Sequence, residues 1–188
     1  MSDEELNELI RNCIRGNASA QERVYRQLYG TMMAVCLRYT RDREQAQDIL
    51  QDGFIKVFAN MSRFNFEGSF EGWVRRIMVN TAIDYFRKKK TDFMLLGENS
   101  SVEDFAEVVD EEDEEEGMYD FTPEDIVKAM QSLTPAYRTI FNLYVFENLA
   151  HHEIAERLGI STGTSKSNYA KAKRNLRKIL INDLKDRE

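Results

Sequence analysis

Residues 93–122 carry no lysine or arginine against 12 aspartates and glutamates, and within them Asp110-Glu111-Glu112-Asp113-Glu114-Glu115-Glu116 is an unbroken acidic run. Like charges at that density repel one another and bury little apolar surface, so the segment cannot lie inside a hydrophobic core. The chain is therefore expected to fold as two lobes, residues 1–92 and 123–188, joined by a flexible acidic linker. The lobes differ from the linker in sign. Residues 1–92 hold 15 Lys/Arg against 13 Asp/Glu and residues 123–188 hold 11 against 8, so each lobe is mildly basic although the chain carries −7 overall. The sequence pI of about 5.1 is produced by the linker and leaves both lobes able to bind nucleic acid.

Hydrophobic residues make up 42% of the 188, enough for two small cores, and two prolines with few β-branched runs predict an all-α fold of two small helical domains. No apolar run reaches membrane-spanning length, and the acidic opening Met1-Ser2-Asp3-Glu4-Glu5 is unlike a signal peptide. The expectation is a cytoplasmic protein without direct membrane insertion. Cys13 and Cys36 each fall within an apolar helical stripe, which points to reduced core thiols. His151-His152-Glu153 begins like a zinc-protease motif, but Glu156 stands where that motif needs its second histidine, so no metal and no cofactor is expected.

The segment from Glu153 to Ser167 reads as a helix, a glycine turn and a second, basic helix, the pattern of a DNA-reading helix-turn-helix. Ile154, Ala155 and Leu158 form one apolar stripe, and the small Ala155 lets the second helix approach. Gly159 stands where the chain turns with positive φ, Ile160 fills the angle, and Ser161 or Thr162 caps the second helix. In that helix Ser165, Tyr169, Ala172, Leu176 and Ile179 recur at helical spacing and should face the core. Lys166, Ser167, Ala170, Lys171, Lys173 and Arg174 should then face outward, a set suited to phosphates and base edges.

The first lobe reads as four helices. The first opens on a capping box of Ser2 with Glu5 and ends at Gly16; the second runs from about Ser19 to Thr40, burying Val24, Leu28, Met32, Val35, Cys36 and Tyr39. The third, from about Asp42 to Ser62, should bury Ala46, Ile49, Leu50, Phe54, Val57 and Phe58 while Asp48, Gln51, Asp52 and Lys56 project outward. The fourth, from about Ser69 to Lys90, should bury Phe70, Trp73, Ile77 and Ala82. Aromatics interleaved with Arg, Asn and Lys on that helix, beside the aromatic loop from Phe64 to Gly68, suit a single strand with unstacked bases.

The order of these features carries more than any one of them. Phe64 to Arg87 reads F-x(4)-S-F-x(2)-W-x(2)-R-I-x(2)-N-x(3)-D-x(2)-R, preceded by Asp48-Ile49-Leu50-Gln51-Asp52-x-Phe54-x-Lys56-Val57-Phe58. The second lobe has Leu133-x-Pro135-x(2)-Arg138-x(2)-Phe141, then Glu153-Ile154-Ala155, Leu158-Gly159-Ile160-Ser161 and Gly163-Thr164. Over nearly its whole length the chain resembles the sigma-70 superfamily, specifically the extracytoplasmic-function sigma factors. Gly53, Ser165, Asn168 and Ala170 depart from the residues common at those places.

The resemblance implies a subunit that confers promoter specificity on RNA polymerase and carries no catalysis of its own, with core RNA polymerase and promoter DNA as partners and no small-molecule substrate. Asp48, Gln51, Asp52 and Phe54 would dock on the clamp of the large polymerase subunit. Phe64, Asn65 and Phe66 with Trp73, Arg76, Asn80, Asp84 and Arg87 would open the −10 element and hold an extruded base. Thr164, Lys166, Ser167 and Lys171 would read the −35 element, with Asn168, Lys173 and Arg174 touching phosphates. It also implies an anti-sigma factor as inhibitor and a linker running through basic polymerase channels, where its charge would either imitate nucleic acid or serve only as a solvated spacer. Two other classes share the helix-turn-helix. A ligand-sensing repressor would need a pocket signature in the first lobe, and a recombinase a nucleophile with basic activators; the sequence offers neither.

Overall fold

The computed structural model describes residues 2–88 and 121–185, and every regular element among them is helical. The chain divides into two compact units, with the boundary between Tyr85 and Phe86. The expected flexible linker lies outside the described residues apart from positions 121 and 122, as do positions 89 and 90 at the expected end of the fourth helix.

The first unit begins with α1 (Asp3–Ile14), opened by the anticipated capping box: Ser2 Oγ accepts the Glu5 N–H at 3.2 Å, and the Glu5 carboxylate accepts the Ser2 N–H at 2.9 Å. Gly16, at φ +80°, turns the chain into α2 (Ala18–Tyr39), whose cap is Asn17. All six residues assigned to the inner stripe of α2 are buried. Burial pushes the Cys36 thiol up to about 12 and raises that of Cys13, so both side chains behave as small core hydrophobes. Helix α3 (Arg43–Ala59), capped by Asp42, packs along α2, and α1 packs on both α2 and the 3-10 turn Met61–Arg63.

Two expectations need correction here. The third helix stops at Ala59, three residues early, because Asn60 turns its side-chain amide back onto the Lys56 carbonyl at 2.8 Å and the chain tightens into the 3-10 turn. In α4 (Phe70–Lys88) the buried positions beyond Phe70 include Val74, Met78, Val79, Ala82 and Ile83, whereas Trp73 and Ile77 are only half-buried. Gly53 explains the register. Its α-carbon faces the Met78 side chain so closely that a β-carbon would overlap the sulfur, and this close approach fixes which edge of α4 meets α3.

The second unit contains α5 (Pro123–Ser132), α6 (Pro135–Val145), α7 (His151–Leu158) and α8 (Thr162–Lys185). Helices α5 and α6 begin alike, with a threonine cap followed by proline in the first turn, where the missing N–H costs nothing. Thr122, assigned by charge to the end of the linker, is the cap of α5, and its N–H and hydroxyl both donate to the Asp125 carboxylate at 3.0 and 2.8 Å. Helix α8 packs on α5, α6 and α7 and supplies Ala172 and Leu176 to a core with Ala129, Met130, Leu133 and Phe141. Arg138 is fully buried, and its guanidinium donates to the carbonyls of Met130, Gln131 and Leu133 at 2.9, 2.6 and 2.6 Å. The Met130 carbonyl also accepts the Leu133 N–H at 3.1 Å, so the buried cation supplements the backbone cap at the end of α5.

Candidate nucleic-acid interface

The helix-turn-helix is built by α7 and α8. The Ala150 N–H donates to the Glu153 carboxylate at 2.7 Å, half of a capping box, since Ala150 has no side-chain acceptor to return the bond. Gly159 closes α7 in the left-handed region, at φ 68° and ψ 36°, as its place in the sequence anticipates. Ser161 then caps α8, accepting the Thr164 N–H at 2.9 Å. Thr164 also lies 2.8 Å from Ser161 through its own hydroxyl, and the Ser167 hydroxyl donates to the Thr164 carbonyl at 3.2 Å. Both hydroxyls are thus turned toward their own helix in the unbound chain.

Along α8 the buried residues are Ser165, Asn168, Ala172 and Leu176, spaced by three and four, while Lys166, Lys173 and Arg174 are exposed and Lys171 is half-buried. Asn168 corrects the expectation for this helix. It is 3% exposed on the inward stripe, and its Nδ2 has no hydrogen-bond partner among the described residues, so it does not reach a phosphate from this position. Tyr169 is half-buried between the Phe141 ring, stacked at 6.1 Å, and the Tyr144 ring at 4.4 Å. Lys173 places its ammonium 5.2 Å from the Tyr169 ring centre, a cation–π contact that steadies an exposed cation.

On α4 Trp73, Arg76, Asn80, Asp84 and Arg87 follow one another by three or four residues and share one stripe of the helix, away from buried Val74 and Met78. Phe64 is buried and central to the adjoining loop, with ring centres 5.3 Å from Phe66, 5.2 Å from Phe70 and 5.7 Å from Trp73. Phe64 therefore supports the loop from beneath. Phe66 is the exposed ring, 39% accessible, and it takes the left-handed backbone conformation at φ 62°, followed by Gly68 at φ 77°. The Asn65 amide donates to the Glu67 carboxylate at 2.7 Å across this turn.

On α3 the exposed Asp48, Gln51 and Asp52 lie three and four residues apart on one face, and Phe54 is 3% exposed. Phe54 acts as a wall rather than a protrusion, its ring 4.7 Å from Tyr25 and 5.9 Å from Phe58. Beside this face runs a groove of about 390 Å³ between α2 and α3, lined by Tyr25, Tyr29, Gln47, Gln51, Ile55 and Phe58 among others. Ile55, 59% exposed, is its most accessible apolar residue. The sequence reading missed Tyr25, Tyr29 and Ile55; the signal available was three large apolar groups on outward positions of otherwise polar helix faces. Among the described residues no three His, Cys, Asp or Glu side chains converge as a metal site requires, and no helix is long and apolar enough to cross a membrane.

A polar α3 face, an aromatic loop beside a polar helix stripe and a helix-turn-helix accompany family matches that define a transcription initiation subunit. The family model for Sigma-70 region 2 matches residues 24–91, and that for Sigma-70, region 4 matches residues 124–176. An extracytoplasmic-function RNA polymerase sigma factor of Bacillus subtilis, SigW, is 31% identical over 159 residues, covering 78% of this chain and 81% of its own. The Mycolicibacterium smegmatis factor SigE is 30% identical over 161 residues, covering 85% of this chain and 58% of its own. The solved structure of the Bartonella quintana sigma factor RpoE, in complex with the anti-sigma factor NepR, aligns with a TM-score of 0.49 at 21% identity over 85% of this chain and 95% of that one. The chain belongs to the extracytoplasmic-function sigma factors of the sigma-70 superfamily.

Proposed function

We propose that the chain binds bacterial core RNA polymerase in the cytoplasm and directs it to promoters through two separated contacts, contributing specificity while the polymerase supplies the chemistry. Residues 1–92 act as the docking and −10 domain, residues 93–122 as the acidic linker and residues 123–188 as the −35 domain. Asp48, Gln51 and Asp52 present the charged part of the docking face, and the groove beside them takes apolar side chains of the polymerase clamp. The α4 stripe and the Phe66 ring hold a base taken out of the duplex, offsetting an unstacking cost of a few kcal/mol. Lys166, Lys171, Lys173 and Arg174 face the major groove and its phosphates at −35. Joined on one polymerase, the two contacts gain effective concentration that neither has alone. An anti-sigma factor that covers the docking face and the helix-turn-helix would keep the chain inactive.

The observation that carries this reading is the single α4 stripe of Trp73, Arg76, Asn80, Asp84 and Arg87 beside an aromatic loop with one ring exposed. Run-off transcription with core polymerase on a randomised promoter library tests it, with Asp52→Ala and Lys171→Ala as controls. Transcripts sharing paired −35 and −10 motifs, lost with either substitution, support an initiation factor. A duplex footprint by the chain alone, with no transcripts from any core preparation including that of the native host, would favour a repressor instead.

A further inference from the structure

The exposed ring of the −10 loop does not stand bare. Arg11, on α1 and outside every motif that marks the promoter-binding surface, places its guanidinium carbon 5.5 Å from the centre of the Phe66 ring. Arg11 is otherwise lightly held: its carboxylate partner Glu8 is 3.8 Å away, and the two side chains are 57% and 54% exposed. Such a pair yields readily to a better partner. Phe66 holds a left-handed backbone conformation unusual for a bulky residue, and that conformation presents its ring at the surface under Arg11.

We propose that Arg11 is a positioning residue of the −10 site: it covers the Phe66 ring in the free chain and moves onto the outer face of the extruded base once that base stacks on the ring. A base sandwiched between ring and guanidinium needs about 7 Å between them, two van der Waals layers of roughly 3.5 Å each. The 5.5 Å seen in the free chain must therefore widen by about 1.5 Å, a shift that an exposed arginine side chain on a fixed helix supplies by changing rotamer. A planar guanidinium suits both states, since it stacks on an aromatic ring and on a nucleobase alike, and it leaves its edge N–H groups for the neighbouring phosphate. Because α1 packs on the 3-10 turn leading into the loop, the arginine and the ring share one rigid mount.

This inference rests on the −10 reading of the Phe66 loop, so the experiment measures both. Holoenzyme assembled from the full chain and core polymerase is titrated with a fork-junction promoter, single-stranded through −10, and with the same promoter as intact duplex. Arg11→Ala should weaken fork binding roughly five- to tenfold with duplex binding unchanged. Arg11→Lys should recover less than half of the loss, and Arg11→Ala should have no further effect on a Phe66→Leu background. An equal loss on fork and duplex, full rescue by lysine, or additive effects of the two substitutions would overturn the proposal and leave Arg11 a phosphate contact. If the unaltered chain shows no preference for fork over duplex, the −10 reading fails first and the proposal falls with it.

Discussion

His151 at the start of α7 and Ser165 in α8 meet with Nδ1 3.0 Å from Oγ, a polar link between the two helices of the DNA-reading motif. Ser165 is fully buried, and the imidazole gives its hydroxyl a partner. The ring also stacks on Tyr144 at 4.5 Å and lies 5.6 Å from Tyr169, so one histidine touches α6 and α8 together.

That placement makes the domain sensitive to mild acid. The pKa of His151 lies below the ordinary 6.5, depressed first by burial and then by the charge of Lys166. The unfolded chain thus takes up this proton at a higher pH than the folded one. The stability that His151 confers is complete above about pH 6.5 and declines as pH falls from there toward the lower folded value. Melting curves between pH 7.5 and 5 should show a shallower acid decline for His151→Gln than for the wild type. Equal slopes for the two would show that His151 carries no such proton linkage.

Gly53 and Met78 should be coupled. Gly53→Ala gains about 1 kcal/mol of helix propensity but drives a methyl into the Met78 thioether, an overpacking cost of roughly 1–3 kcal/mol, so the single variant should be less stable. Met78→Ala opens a cavity costing about 2–5 kcal/mol, part of which the new alanine methyl fills. Urea unfolding of the two single variants and the double variant should give a coupling of about 1 kcal/mol or more. Additivity within about 0.5 kcal/mol would contradict the packing described.

Arg138 offers a test confined to the second domain. Arg138→Met removes a charged donor from three carbonyls at the end of α5, of which Met130 keeps the Leu133 N–H, at a cost of about 1–3 kcal/mol. Hydrogen exchange should report the loss as reduced amide protection in α5 and α6, with α1 to α3 unchanged. Arg138→Lys, with one ammonium in place of a planar fork, should retain only part of the protection.

What could be read from the sequence was what is local. Caps such as Ser2 with Glu5, the Gly159 turn and the inner stripe of α2 each depend on residues within a turn or two of one another. The register of α4 was not local. Stripes through Phe70, Trp73 and Ile77 or through Phe70, Val74 and Met78 both fit a 3.6-residue period, and only the opening at Gly53 on another helix chooses between them. The groove was hidden for the same reason, because Tyr25 and Ile55 line it together only after α2 and α3 pair. The phosphate contact expected of Asn168 came from the resemblance and not from its spacing, which puts it three residues after Ser165 and four before Ala172, both buried.

The inward position of Asn168 separates two effects on DNA that its neighbours would otherwise confuse. Lys173 is exposed on α8, and a cation paired with one phosphate releases condensed counterions when it binds. Lys173→Ala should therefore flatten the plot of log affinity against log salt by roughly 0.9 for a −35 duplex bound by holoenzyme. Asn168 carries no charge and faces the core, so Asn168→Ala should leave that slope as it is. Its effect on stability should also be small, within about 1 kcal/mol, because it removes a buried amide whose Nδ2 has no partner among the described residues while adding a better helix former. Salt titrations between about 50 and 200 mM, the range over which phosphate contacts dominate affinity, would resolve the two variants. If Asn168→Ala flattened the slope as much as Lys173→Ala, position 168 would have to turn outward on DNA, and α8 would have to roll on its own core to bind.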